Sequence, residues 1–144
     1  MTDIITIDWL NEEKRVLVAT YHRDGWTWED LYEVFKKQKA MIATVDGIVD
    51  VIVDVRNSSW LPKGGSLTSG IRKLTGEQHP RQGHTIIMGA KGMVAVILNS
   101  VMKLVGKYRA AFHFTKTMDE SLEIIRELQA YRKKTATESG ASGS

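Results

Sequence analysis

The stretch that decides the fold is "IVDVIVDV", residues 48–55. Val and Ile fill it almost without interruption, and only Asp50 and Asp54 break the apolar run. A continuous run of β-branched residues predicts a strand that is buried on both faces, as in a parallel sheet covered by helices. The rest of the chain is therefore assigned around one central strand.

Three elements are predicted before this strand. The segments "DIITIDWL" (3–10) and "RVLVATY" (15–21) are separated by a short polar turn, which predicts an antiparallel hairpin. Thr27 is predicted to cap a helix that ends near Thr44, because apolar side chains then recur at helical spacing. The N-terminal part of the chain thus reads strand, strand, helix.

Helices and strands alternate after the central strand. The predicted elements are a short helix at 66–74, a strand at 85–89, a long apolar helix at 93–108, a strand at 110–115 and a helix opened by Thr117 and Glu120 as a capping box, with Leu122, Ile125, Leu128 and Tyr131 on one face. This order predicts an α/β fold: an N-terminal hairpin, then a mixed, mainly parallel sheet covered by about four helices. We expect a single domain over residues 1–134 and a flexible tail over 135–144, where nothing apolar can be buried.

Composition narrows the class of protein. The 144 residues carry a formal net charge of +3 with both signs interspersed, and there is no cysteine, which excludes disulfides, thiolate metal sites and a cysteine nucleophile. The basic clusters are not interleaved with aromatic residues, so we expect no nucleic-acid binding. No segment is long and apolar enough for membrane insertion, and the N-terminus does not have the pattern of a signal peptide, so we expect a cytoplasmic protein.

Four stretches carry a family resemblance: "WTWEDLYEVF" (26–35), "VDVIVDVRNSSWLPKG" (49–64), "TIIMGAKGMVAVILNSV" (85–101) preceded by "HP", and "FHFTKTMDESLEII" (112–125). With the order of elements, they resemble the STAS domain, named for sulfate transporters and anti-sigma factor antagonists. More narrowly, they look like small STAS-like bacterial proteins. The resemblance implies a non-enzymatic regulatory module that binds a partner protein.

In the anti-sigma factor antagonists, a phosphorylatable serine follows the central strand at the start of a short helix. Asp54 matches the acid that ends that strand in the family, but Pro62, Lys63 and Gly64 stand where the family has its Asp-Ser-Gly motif. Ser58 and Ser59 come before the position of the family's serine, and Ser66 comes a little after it. The resemblance therefore carries over the position of the loop and not the phosphorylation site.

The loop after the central strand is the first candidate site. Its candidate residues are Asp54, Ser58, Ser59, Trp60, Lys63, Gly64, Gly65 and Ser66. Ligands of open α/β folds usually bind at the carboxyl ends of the parallel strands, where this loop begins. The backbone amides of residues 64–66 could hold an anion with help from Lys63, or the glycines could only permit a turn while Ser66 caps the next helix.

Two further segments are candidates for contact with a partner. Gly89, Lys91 and Gly92 follow the next strand and border the same edge, either as part of the site or as a close turn. The long helix has more apolar surface than one covered face requires, and its candidate interface residues are Met93, Val96, Ile97, Val101 and Met102. The alternative is that this helix is packed deeply in the core.

The titratable residues form no recognisable catalytic set. His79 and His84 share a loop but lack a third metal ligand, and His113 points away from its aromatic neighbours as a partly buried structural residue. Asp50 and Asp54 lie on one face of their strand, where an acid at the strand end more often caps a loop. We predict no catalytic residue, no metal and no cofactor. Our first hypothesis is an interaction module that self-associates or docks on a partner protein. The alternative is a small-molecule or lipid-binding protein with an anion site in loop 57–66.

Overall fold

The computed structural model describes residues 4–58, 79–91 and 112–142, and of residues 137–142 only the helical backbone. Five strands form one sheet in the order β1-β2-β3-β4-β5. They are β1 (Ile5–Trp9), β2 (Val16–Tyr21), β3 (Val49–Asp54), β4 (Gln82–Met88) and β5 (Phe112–Thr115). The β1–β2 pair is antiparallel and the other pairs are parallel, which confirms the α/β class, the hairpin and the mixed, mainly parallel sheet.

Strand β3 is buried along its whole length, as the sequence predicts. Val49, Val51 and Val53 face the core that α1 (Trp28–Ala43) covers. Ile52 faces the opposite core, which contains Ile125 of α2 (Met118–Ser142). The two helices therefore cover opposite faces of the sheet, and this two-sided burial explains why valine and isoleucine occur on both faces of β3.

Helix α1 begins where its cap is predicted. The Thr27 hydroxyl accepts a hydrogen bond from the Asp30 amide at 3.2 Å, and the Asp30 carboxylate accepts one from the Thr27 amide at 2.9 Å. This reciprocal capping box satisfies two amides that have no partner inside the helix. It fixes the start of α1 directly after the loop that follows β2.

Helix α2 differs from the prediction in two ways. Tyr131, predicted on the apolar face, is 69% exposed, so that prediction is wrong. The apolar contact with the sheet is made by Leu122 and Ile125, about two turns earlier. The helix also continues through Ser142, past Thr135. The flexibility of 135–144 stays a prediction.

Strand β4 begins at Gln82, three residues before the predicted start at Thr85. The added segment contains an irregularity: Val49 pairs with Gln82, but Val51 pairs with Thr85, so β4 uses one residue more than β3 between these points. The predicted helices at 66–74 and 93–108 lie outside the described residues. The prediction is about four helices over the sheet, and the described residues contain two of them.

Candidate functional site

The carboxyl ends of β2, β3, β4 and β5 lie side by side at one edge of the sheet, where ligands of open α/β folds usually bind. The first basic residues after these ends are His22 after β2, Arg56 after β3, Lys91 after β4 and Lys116 after β5. All four are exposed. We call this set the basic edge. Because neighbouring strands are about 4.8 Å apart, the strand ends together form one surface.

Asp54, the predicted site acid, is bound inside this edge. Its carboxylate accepts hydrogen bonds from the Arg56 amide at 3.1 Å, from Nε at 3.0 Å and from Nη2 at 2.9 Å. Burial raises the pKa of Asp54, but the hydrogen bonds and positive charge of Arg56 outweigh it and lower that pKa overall, with a smaller contribution from His22. The acid therefore shapes the loop and holds Arg56 in place.

Ser58 is not available as an exposed hydroxyl. Its side chain is buried and accepts a hydrogen bond from the Trp26 indole nitrogen at 2.9 Å. Trp26 is itself buried and contacts the Tyr21 ring edge-on, with centroids 5.0 Å apart. Burial raises the pKa of Tyr21. Ser58 thus ties the loop after β3 to the loop before α1, which is a structural role.

Gly89 of the second predicted loop lies against Arg56. It has φ +87°, a conformation that favours glycine, and a Cβ here would lie 3.0 Å from the Arg56 Cα and collide with Arg56 Cγ. The glycine therefore lets the β4 exit pass under Arg56. Lys91, two residues later, is exposed at the same edge.

Of the predicted site residues, the structure places Asp54, Ser58, Gly89 and Lys91 at this edge. The other candidate residues lie outside the described residues: Ser59, Trp60, Lys63, Gly64, Gly65 and Ser66 of the first loop, Gly92 of the second, and Met93, Val96, Ile97, Val101 and Met102 of the predicted interface helix. Their proposed roles stay predictions. The described part of the edge is held by internal contacts and presents positive charge.

A second polar cluster lies at the amino ends of β3 and β4, and sequence reasoning did not find it. The fully buried Asp50 carboxylate binds the Arg132 guanidinium through both oxygens, at 2.7 and 2.8 Å. Its Oδ1 also accepts a hydrogen bond from the His84 amide at 2.8 Å. Because the register shifts at this point, the Asp50 side chain takes over the pairing of an amide that the irregular ladder leaves free.

Gly83 makes this arrangement possible. A Cβ at this position would lie 2.7 Å from Arg132 Nη2 and from Ile48 Cγ2, and closer still to Asp50 Oδ1. The guanidinium thus occupies the space that a side chain would fill. The only sequence signal for the cluster was an acid inside an apolar strand, and nothing in the sequence pointed to Arg132 as its partner.

Two histidines extend this cluster. His84 Nδ1 lies 2.8 Å from His113 Nε2, and their rings stack with centroids 5.0 Å apart. Burial lowers both pKa values, and the charge of His113 lowers that of His84 further, while Asp50 opposes the shift in both. The prediction that His113 is a partly buried structural residue agrees with this contact.

A groove of about 330 Å³ opens between the β1–β2 turn and α2. Leu10, Val16, Leu122 and Ile125 form its apolar surface, and all four belong to the core on the α2 side of the sheet. Arg15 and Arg126 stand exposed at its rim. The groove flanks the start of β2, at the opposite end of that strand from His22.

The described residues contain no cluster of three or more histidine or acidic side chains that could hold a metal ion. Among the same residues, no helix has the length and apolar character needed to cross a membrane. No protein-family model matches the sequence, and no curated protein matches it either.

Proposed function

We propose that this chain is a non-enzymatic, STAS-like regulatory module that docks on a partner protein through the basic edge. The observation that carries this proposal is the row of exposed basic side chains, one after each of four adjacent parallel strands. Asp54, the acid that ends β3, is bound to Arg56. A surface of this kind fits an acidic patch on a partner, since complementary charges speed association and fix orientation.

The hydrogen bonds beneath the basic edge favour a role in binding over a role in catalysis. Asp54 and Ser58, the described loop residues with a carboxylate or hydroxyl group, are both held by internal hydrogen bonds. Arg56 is therefore fixed in position while its side chain stays 48% exposed. A cation that is positioned in advance loses less side-chain entropy when it meets its partner.

A second copy of the chain is the first partner to test. Light scattering over a concentration series measures self-association directly. A strict monomer at high concentration would exclude the self-associating version and leave docking on a different protein. Mass measurement under native conditions, made on the same samples, would reveal the carried small ligand that the alternative hypothesis requires.

Docking on another protein is tested by photo-crosslinking in cells. A photoreactive residue at Asn57, which is exposed beside Arg56, should capture a partner, whereas one at Glu33 on α1 should not. The triple variant Arg56→Gln, Lys91→Gln, Lys116→Gln should lose the crosslink. The matched triple variant Lys36→Gln, Lys37→Gln, Lys39→Gln removes the same charge from α1 and should keep it. Equal loss in both variants would contradict the proposal.

A further inference from the structure

From the groove between the β1–β2 turn and α2, we infer a second, independent binding site, which takes a small amphiphilic anion: an aliphatic carboxylate whose chain lies on the apolar surface and whose head meets Arg15 and Arg126. The inference does not rest on the proposed function, because the basic edge uses none of these residues. It rests on the shape of the groove, its apolar surface and two arginines without acidic partners.

The shape favours a small molecule over a protein. The groove has a volume of about 330 Å³, at the lower end of the range typical of ligand pockets. Two elements from distant parts of the chain form its walls: the turn that leads into β2, and the middle of α2. A concave groove of this size has room for an aliphatic chain, whereas a docked protein usually needs a wider surface.

The apolar surface of the groove is continuous with the core. Val16 and Ile125 are almost fully buried, while Leu10 and Leu122 are partly exposed and pack against them. The exposed parts of these two leucines are the surface that an aliphatic chain would remove from water. Each buried methylene group contributes about 0.8 kcal/mol, so a chain of several carbons supplies useful affinity.

The two arginines supply the charge. Arg15 Nη1 donates to the Asp46 carbonyl oxygen, and Arg126 Nε donates to the Leu122 carbonyl oxygen at 3.3 Å. Both partners are neutral carbonyl groups. The ion pairs among the described residues are Asp54–Arg56 and Asp50–Arg132, so neither groove arginine is neutralised there.

The remaining N–H groups of each guanidinium are suited to a carboxylate. Arginine binds carboxylates through parallel hydrogen bonds, and one tethered N–H group reduces the freedom that binding would remove. Glu13 at the same rim carries the opposite charge and repels each anionic group of a ligand, so it opposes a dianion more than a monoanion. The groove therefore fits a single carboxylate on an apolar chain better than a ligand with several anionic groups.

The test uses the full chain and two matched probes, decanoate and decanol, in NMR titrations of the backbone amides. We expect saturable shifts for decanoate at the groove, including Leu10 and Gln129, and weaker binding of decanol. Arg126→Gln should weaken decanoate about tenfold, the loss of about 1.4 kcal/mol expected for a charged hydrogen bond, and leave decanol unchanged. Lys37→Gln on α1 is the matched control and should change neither probe.

Three results would overturn the inference: no saturable shift with decanoate, equal affinity for decanoate and decanol, or shifts located away from the groove. Gln129→Trp, which fills the groove from its rim without touching the buried core, should abolish decanoate binding. A parallel sedimentation assay with phosphatidylglycerol vesicles separates the sources of the anion. Arginine-dependent sedimentation without binding of free decanoate would show a membrane surface as the ligand and contradict the proposed site.

Discussion

Arg132 in α2 binds both carboxylate oxygens of Asp50 in β3, 82 residues away in sequence, at 2.7 and 2.8 Å. Asp50 is fully buried, while 24% of the Arg132 side chain is exposed. The pair fastens the later part of α2 to the amino end of the sheet, beyond the apolar contacts of Leu122 and Ile125. It explains how a helix with little apolar surface there stays on the sheet.

Removing the arginine should destabilise the fold strongly. Arg132→Met leaves the buried Asp50 carboxylate without its cation, and we expect a loss of about 3–5 kcal/mol in the free energy of unfolding. Urea denaturation measures this loss. Lys134→Ala, two residues further along α2 and exposed, should change stability by no more than about 0.5 kcal/mol. Equal small effects in both variants would show that the ion pair contributes little.

Gly83→Ala should destabilise the same region by a steric route. The added methyl group would collide with Arg132 and Asp50, at an expected cost of about 1–3 kcal/mol. If the collision is the cause, the cost should fall when Arg132 is already replaced by Met, because neighbouring changes are not additive. Urea denaturation of the two single variants and the double variant checks this. Additive losses would place the cause elsewhere in β4.

Acidification should destabilise the protein through the two histidines. Their pKa values in the folded protein are below the ordinary 6.5, so the unfolded chain binds more protons in this range. The contribution of the neutral histidines to the free energy of unfolding should therefore be fully present above pH 6.5. It should fall as the pH decreases through 6.5 toward the pKa values of the folded protein. Protonation of both rings would also place two positive charges at a 2.8 Å contact. Thermal unfolding between pH 7.5 and 5.5 should show a smaller decrease for His113→Gln; an unchanged decrease would exclude the pair as its source.

Ser58→Ala should destabilise the fold by about 1 kcal/mol, because the buried Trp26 indole loses the acceptor of its 2.9 Å hydrogen bond. Chemical denaturation followed by tryptophan fluorescence reports the change, and Asn57→Ala, exposed next to it, is the control. The same burial predicts that a kinase does not label Ser58 in the folded protein. Labelling of Ser58 without unfolding would contradict the structural role assigned to it.

The sequence by itself determined the sheet and the start of α1. The apolar run around Ile52, the hairpin and the Thr27 cap are local patterns, since periodicity and capping depend on residues a few positions apart. The same reasoning placed Asp54 at the strand exit and identified its role at a loop. It failed at the far end of α2, where Tyr131 fits the helical period but lies beyond the apolar contact with the sheet.

Only the tertiary structure decided the rest. Arg132 and the His84 amide bind Asp50, and Arg15 and Arg126 line the same groove. No local sequence pattern relates such distant positions. In the sequence, Gly83 cannot be distinguished from a glycine in an ordinary turn. Its role follows only from the position of the Arg132 guanidinium beside it. Charge and burial at these positions depend on packing between distant segments, which spacing along the chain does not encode.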